Sequence, residues 1–307
     1  MKIKNNHNFS IPNALTENIF SLYGDAGSLW LQNLPQFVLR YEDKWQFKSG
    51  NCFSDAQFNV VLNAMKNDNT PVVFKCSVPN KEFVTEVHAL KHYDGFGAAQ
   101  LLESDINSGA MLIEKINPGT LLESVESVED ATKYAVDVCQ KLHKPIDKNT
   151  LFPTLTDWFE GFDQRLYKKF NGTSGPFLKK LVEQANTISS ELIQSQSNFV
   201  LLHGDLHYAN LLLCSKERSK AIDAKGVVGE PEFEIPLPRV TNPITKKELL
   251  YRLDCYIEQS QFDKKRTYGW LFSKAVLAAW WTVEDSGSAS EFTQKFLNVA
   301  EIVQKYL

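Results

Sequence analysis

The chain has 307 residues, 43% of them hydrophobic, enough for two lobes with cores of their own. With 33 basic and 37 acidic residues the net charge is −4 and no basic run appears, which excludes a nucleic-acid binder. The five cysteines (Cys52, Cys76, Cys139, Cys214, Cys255) are odd in number and lack C-x-x-C spacing, so they read as buried thiols of a reducing cytoplasm. The polar start MKIKNNHNFS is no signal peptide, and the apolar run 275–281 is too short to span a bilayer, so a cytoplasmic protein with no membrane partner and no obligate protein partner is expected.

Residues 11–41 carry a helical period interrupted at Gly24-Asp25-Ala26-Gly27, which predicts two short helices outside the first sheet. Strand character begins at 45–48, turns over 50–54 and resumes at 58–65. Gly50 and the small polar Ser54 stand where a nucleotide-covering loop would lie, although an ordinary hairpin turn fits the same residues. The chain has neither G-x-G-x-x-G nor G-x-x-x-x-G-K-[ST], so it carries no Rossmann or P-loop fingerprint.

The run PVVFKCS at 71–77 is a strand that contains Lys75. A lysine in a buried strand needs a partner, and a kinase uses such a lysine on the α- and β-phosphates, held by a helix glutamate. The helix predicted over 81–93 offers Glu82 and Glu86. Glu86 lies deeper, beside the apolar side made by Phe83, Val87 and Leu90, and is the expected partner. An edge strand with Lys75 facing water is the alternative. Two more strands, 99–103 and 110–114, flank the turn Asn107-Ser108-Gly109. Lys115-Ile116-Asn117-Pro118-Gly119 then breaks the pattern. Residues 114–120 are the expected hinge, with adenine against the backbone near Glu114 and Ile116.

After residue 120 the chain is mostly helical, with amphipathic stretches at 128–143, 155–170 and 176–193. Inserted among them is FVLLHGDLHYANLLLCSKERSKAIDAKG, 199–226. Two apolar runs flank a polar loop, and a hairpin returns Asp223 to it. Asp205 and Asn210 stand in the D-x-x-x-x-N order of a kinase catalytic loop. The aspartate accepts the proton of an attacking hydroxyl; the asparagine amide oxygen and Asp223 hold Mg²⁺ against ATP. The lead His203-Gly204-Asp205 lacks the arginine of protein kinases, which favours a small-molecule kinase. His203-x-Asp205-x-His207 is also plausible spacing for a metallohydrolase, and a polar turn between core strands remains the bland alternative.

The segment VVGEPEFEIPLPRVTNP follows, with Glu230, Glu232 and Glu234 in a proline-stiffened loop. These glutamates are either solvated or face a cationic substrate. A long helix over 264–281 ends in Trp280-Trp281, and Thr282-Val283-Glu284-Asp285 is expected to follow it. Trp281 beside Glu284 and Asp285 suits a polycationic sugar; an aromatic core beside a polar helix end fits equally. A last helix covers about 291–306.

LLHGDLHYANLLL, AIDAKG, VGEP and TNP resemble the aminoglycoside phosphotransferase superfamily. LIEKINPGTLL, RLD (252–254), FDKKR…W (262–270) and AAWWTVED (278–285) resemble its streptomycin 6-kinase and hydroxyurea-kinase branch. The likeness covers most of the chain from about Trp45. It implies an α+β, bilobal protein-kinase-like fold: a five-stranded antiparallel sheet with helices in a lobe over 1–113, a hinge at 114–120 and a helical lobe over 121–307. It further implies MgATP between the lobes and phosphorylation of a hydroxyl on a small cationic molecule such as streptomycin. Asp205 would be catalytic, Asn210 and Asp223 metal ligands, Lys75 the phosphate lysine and Glu86 its partner. Ala224 stands where the branch has proline, and Tyr208-Ala209 replaces a more polar pair, which leaves room for another acceptor. A choline or amino-alcohol kinase, or a catalytically silent binding protein, is the alternative.

Overall fold

A computed structural model describes residues 10–147, 150–215, 218–238 and 244–307. The first residues of the polar N-terminus and the TNP motif lie outside them. The chain divides into two compact units, Met1–Gly119 and Thr120–Leu307.

The first unit opens with helix α1, Asn13–Trp45, which bends at Gly24, where φ is +55° and ψ −133°. The expected helix break is therefore there, as a kink that glycine tolerates and a side-chain-bearing residue would not. Strands β1 (Phe47–Cys52), β2 (Val60–Lys66), β3 (Pro71–Cys76), β4 (Leu101–Asp105) and β5 (Ala110–Glu114) form one antiparallel sheet in the order β1-β2-β3-β5-β4. The period of two in β3 turns Val72, Phe74 and Cys76 into the core shared with Leu15, Leu34, Val38 and Tyr41 of α1. Val73 and Lys75 fall on the opposite face. β3 is central rather than an edge, which rules out the water-facing alternative for Lys75, whose exposure is 3%.

Helix α2, Lys81–Tyr93, is started by Asn80, whose side chain accepts the Phe83 amide at 2.9 Å. Phe83, Val87 and Leu90, at i, i+4 and i+7, are buried, and Glu86 is buried beside them. One expectation is corrected. Gly50 does not turn the first hairpin; it lies within β1, at a register irregularity between Ser49 and Cys52, and the turn comes after it, with Ser54 exposed.

The second unit contains β6 (Thr120–Leu121), α3 (Val128–Leu142), α4 (Leu155–Phe159), α5 (Phe162–Lys169), α6 (Lys179–Gln194), β7 (Val200–Leu202), β8 (Leu211–Ser215), β9 (Arg218–Ala221), β10 (Val227–Gly229), α7 (Lys246–Ser260), α8 (Lys264–Ser286) and α9 (Glu291–Gln304). The stretch read as one helix over 155–170 is two, parted at Glu160-Gly161. β7 pairs with β10, and β8 with β9 and β6, so two small sheets carry the loops from 203 to 226. Helix α8 runs past Trp281 to Ser286 and is capped by Gly287 at φ +81°. Glu284 therefore belongs to the last turns of the helix, not to a segment after it. All five cysteines are free thiols, but only Cys76 and Cys139 are fully buried. Among the described residues no helix is long and apolar enough to cross a membrane.

Candidate active site

In the first unit the Lys75 ammonium meets a Glu86 carboxylate oxygen at 2.6 Å, with both side chains under a tenth exposed. The strand fixes one partner and the second turn of α2 the other. At the end of β5 the Glu114 amide donates to the Gln100 carbonyl, and the Gln100 amide returns a hydrogen bond to the Glu114 carboxylate. Ile116 is buried just beyond.

In the second unit the apolar run of β7 ends at His203, which is fully buried. Its Nε2 lies 2.8 Å from the Ile222 carbonyl, and its Nδ1 is 3.3 Å from the Asp205 amide. A carbonyl only accepts and an amide N–H only donates. The ring is therefore neutral, with its hydrogen on Nε2. Burial pushes the His203 imidazolium below the ordinary histidine range, against the pull of Glu234 and Asp205. Both ring nitrogens are engaged, so His203 is no metal ligand and the metallohydrolase reading fails. Among the described residues no group of three or more His, Cys, Asp or Glu is arranged to hold a metal.

The same ring ties the loop to the end of the hairpin that carries Asp223. A second tie runs alongside. The Asn210 amide nitrogen donates to the Asp205 carbonyl at 2.9 Å, and the Asn210 carbonyl accepts the Ile222 amide at 3.0 Å. The loop that carries Asp205 and Asn210 is thereby tied at two points to Ile222, the residue before Asp223. Asp223 is in the left-handed region at φ +61°, a conformation rare outside glycine, asparagine and aspartate and characteristic of functional sites. With its Nδ2 committed to a carbonyl, Asn210 turns its amide oxygen the other way. That oxygen and the Asp223 carboxylate are hard donors of the kind Mg²⁺ takes together with phosphate and water.

The loop backbone is held by Glu234, which the sequence left either solvated or facing a cationic substrate and which is neither. Glu234 is fully buried, and its two carboxylate oxygens accept the His203 amide at 2.9 Å and the Gly204 amide at 2.7 Å. His143 Nε2 stands 3.3 Å from the same carboxylate. Burial pushes the Glu234 carboxyl up, but the His143 hydrogen bond and the positive charge around it, that of Lys274 included, outweigh it and bring it to about 2. Gly204 sits at φ +87°, and a Cβ there would stand 3.1 Å from the Trp158 ring and 3.3 Å from Lys225, so only glycine fits. Glu234 stood in plain view between apolar Phe233 and Ile235, where a solvated carboxylate is out of place.

Arg252 stood in the sequence only as part of the RLD motif, with no role of its own. It shares the buried stripe Leu249, Arg252, Leu253, Tyr256 of α7. It donates to the Tyr208 hydroxyl, to Thr132 Oγ1 at 2.9 Å and to Glu248 at 2.7 Å, and lies over the Tyr208 ring at 4.7 Å. An arginine in an apolar helical stripe is the signal that would have found it.

The residues expected to form the acceptor face differ in what they have free to offer. Glu230 is 3% exposed and takes Arg266 at 2.5 and 2.9 Å, the Trp270 indole N–H at 3.0 Å and the Ser197 amide at 3.3 Å. It is a structural carboxylate and offers nothing to a substrate. Glu232 is half-buried and its carboxyl is pushed up by burial and by Glu230. Glu284 pairs with Arg165 at 3.3 Å, and its carbonyl accepts Lys169. The Asp285 side chain lies outside the described residues. Trp281 is half-buried and packs edge-to-face on Trp158, with centroids 5.3 Å apart.

The sheet-plus-helix unit and the loop that binds Asp205, Asn210 and Asp223 together define the protein-kinase-like class of phosphotransferases. The chain belongs to the aminoglycoside/hydroxyurea antibiotic resistance kinase family, whose sequence pattern matches residues 44–286. It is an enzyme, a phosphotransferase with an alcohol group as acceptor. It is 25% identical over 303 residues to a streptomycin 6-kinase of Streptomyces griseus, covering 96% of this chain and 97% of that one. A hydroxyurea phosphotransferase of Kitasatospora aureofaciens is 27% identical over 300 residues, 95% of this chain and 85% of its own. The crystal structure of aminoglycoside phosphotransferase APH(4)-Ia shares the fold at 10% identity, with a TM-score of 0.63 over 89% of this chain and 99% of that chain.

Proposed function

We propose that the protein transfers the γ-phosphate of ATP, with Mg²⁺, to a hydroxyl of a small antibiotic-type molecule, with an aminoglycoside such as streptomycin among the acceptors to try. One observation supports this reading: hydrogen bonds among Asp205, Asn210, Ile222 and His203 tie the loop that carries Asp205 and Asn210 to the residue preceding Asp223. Asp205, with a side chain 43% exposed, takes the proton of the acceptor hydroxyl and orients it. Asn210 and Asp223 are the residues that would hold Mg²⁺, which supplies charge neutralisation at the phosphates. Lys75, fixed by Glu86, neutralises phosphate charge, and adenine is assigned to the backbone at Glu114 and Ile116. Phosphoryl transfer asks little covalent chemistry of the protein; positioned charge does the rest.

The test is mass spectrometry of a hydroxyl-compound library incubated with MgATP, in parallel with Asp205→Ala. A gain of one phosphate on an acceptor, lost in the variant, is expected. A library without any phosphorylated compound, or an unchanged rate in the variant, overturns the reading.

A further inference from the structure

The acceptor hydroxyl has to reach the Asp205 carboxylate, so whatever adjoins that hydroxyl meets the neighbours of Asp205 within the second unit. Those neighbours are basic and aromatic. Lys225 Nζ is 3.8 Å from one carboxylate oxygen and His207 Nε2 is 3.9 Å from the other. On the Gly204 side stands Trp158, packed edge-on against Trp281 and, at 6.0 Å, against Phe233. Lys274 places its ammonium 4.9 Å from the centre of the Phe233 ring. Lys274 and Trp281, seven residues apart in α8, lie on the same side of that helix.

Lys274 is the ammonium whose interactions are least complete. Among the described residues no carboxylate oxygen stands within 4.0 Å of its nitrogen. Its electrostatic neighbours are Glu234, Asp205 and the Cys139 thiol. Both Glu234 oxygens are already taken by backbone amides and His143. Burial pulls the Lys274 ammonium below the ordinary lysine range, and Glu234 and Asp205 restore only part of it. A half-buried ammonium of this kind gains most from an incoming oxygen. Two of the carboxylates expected to welcome a cation are spent elsewhere, Glu230 on Arg266 and Glu284 on Arg165.

We infer that Lys274 and the Trp158–Trp281 pair form the acceptor subsite, and that they select a planar, uncharged or anionic oxygen group (amide, urea or carboxylate) beside the phosphorylated hydroxyl, in preference to an ammonium or guanidinium. The tryptophans stack on the planar group and the lysine donates to its oxygen. This rests on the phosphotransferase reading and narrows its acceptor class.

The experiment compares phosphorylation by MgATP of hydroxyurea and glycolate, as neutral and anionic probes, with streptomycin and choline, as cationic ones, in wild type, Lys274→Gln, Lys274→Glu and Lys274→Arg. Wild type is expected to favour the neutral and anionic probes. Lys274→Gln should raise their KM about tenfold, the scale of one charged hydrogen bond, and leave the KM for ATP unchanged. Lys274→Arg should restore most of the loss, and Lys274→Glu should shift preference toward the cationic probes. Circular dichroism and a melting curve check that each variant is folded; where Gln or Glu is not, the Arg variant and the wild-type preference order carry the decision. Wild-type preference for the cationic probes, or an acceptor KM indifferent to Lys274, overturns the inference and leaves the phosphotransferase reading standing. If none of the probes nor any compound of the wider library is phosphorylated, the parent reading falls and this one with it.

Discussion

Glu234→Gln tests the account of the catalytic loop most sharply, because the change is nearly isosteric. The wild-type carboxylate accepts two backbone amides at 2.7 and 2.9 Å in a site closed to water. Glutamine keeps one acceptor oxygen and points an NH₂ at the other amide, a donor against a donor. A hydrogen bond to a charged group contributes about 1.5–3 kcal/mol, and the stranded amide adds a desolvation cost of similar size. Linkage gives an independent figure. The folded carboxyl titrates at about 2 against an ordinary 4.5, and about 2.5 units at 1.36 kcal/mol each is about 3 kcal/mol. The folded value is depressed, so this stability is present above pH 4.5 and fades as pH falls toward 2. The groups facing the carboxylate are His143, His203 and Lys274. Urea unfolding is the assay. At neutral pH a loss of about 3 kcal/mol, with a slope of about 2 kcal/mol/M, lowers the midpoint by about 1.5 M. The gap between variant and wild type should narrow steadily between pH 4.5 and 3. A midpoint within about 0.3 M of wild type at neutral pH, or a gap that does not respond to acid, refutes the reasoning.

Three further outcomes are expected. Asp205→Ala, at a half-exposed side chain, should leave the melting temperature and nucleotide binding intact while turnover falls by about 10²–10⁴; normal turnover in the purified variant would discredit its role. Asp223→Ala should weaken MgATP far more than metal-free ATP in a calorimetric titration, and equal weakening would count against metal ligation. Glu86→Ala leaves the buried Lys75 ammonium without its carboxylate and should cost about 3–5 kcal/mol in denaturant unfolding; a loss under about 1 kcal/mol would mean the pair is not what holds Lys75.

The parts legible in the sequence are those set by short-range pattern. Alternation in PVVFKCS and the i, i+4, i+7 stripe of α2 place Lys75 and Glu86 at positions where they meet. The flanking apolar runs and the hairpin return Asp223 to Asp205 and Asn210. What local pattern cannot carry is the long-range pairing of charges. Glu230 reads as an acidic loop residue until Arg266, thirty-six positions on, closes over it. Glu234 and Arg252 leave only a faint trace, a charge among apolar neighbours, and their partners lie 31 and 44 positions away. The end of α8 was misplaced because Trp280-Trp281 looks like a terminus, while the residue that actually stops the helix is Gly287.

The stacking of Arg252 on Tyr208 couples two positions that a designer would otherwise treat as independent. Shrinking the tyrosine alone to broaden the loop takes from a buried guanidinium its ring and one acceptor; neutralising the arginine alone takes a donor from a buried phenol that also faces Thr132 and Tyr256. Re-engineering of acceptor range at 208–209 therefore has to travel as a double exchange with α7, and libraries that vary the loop by itself will be thinned by misfolding before they are sorted by activity.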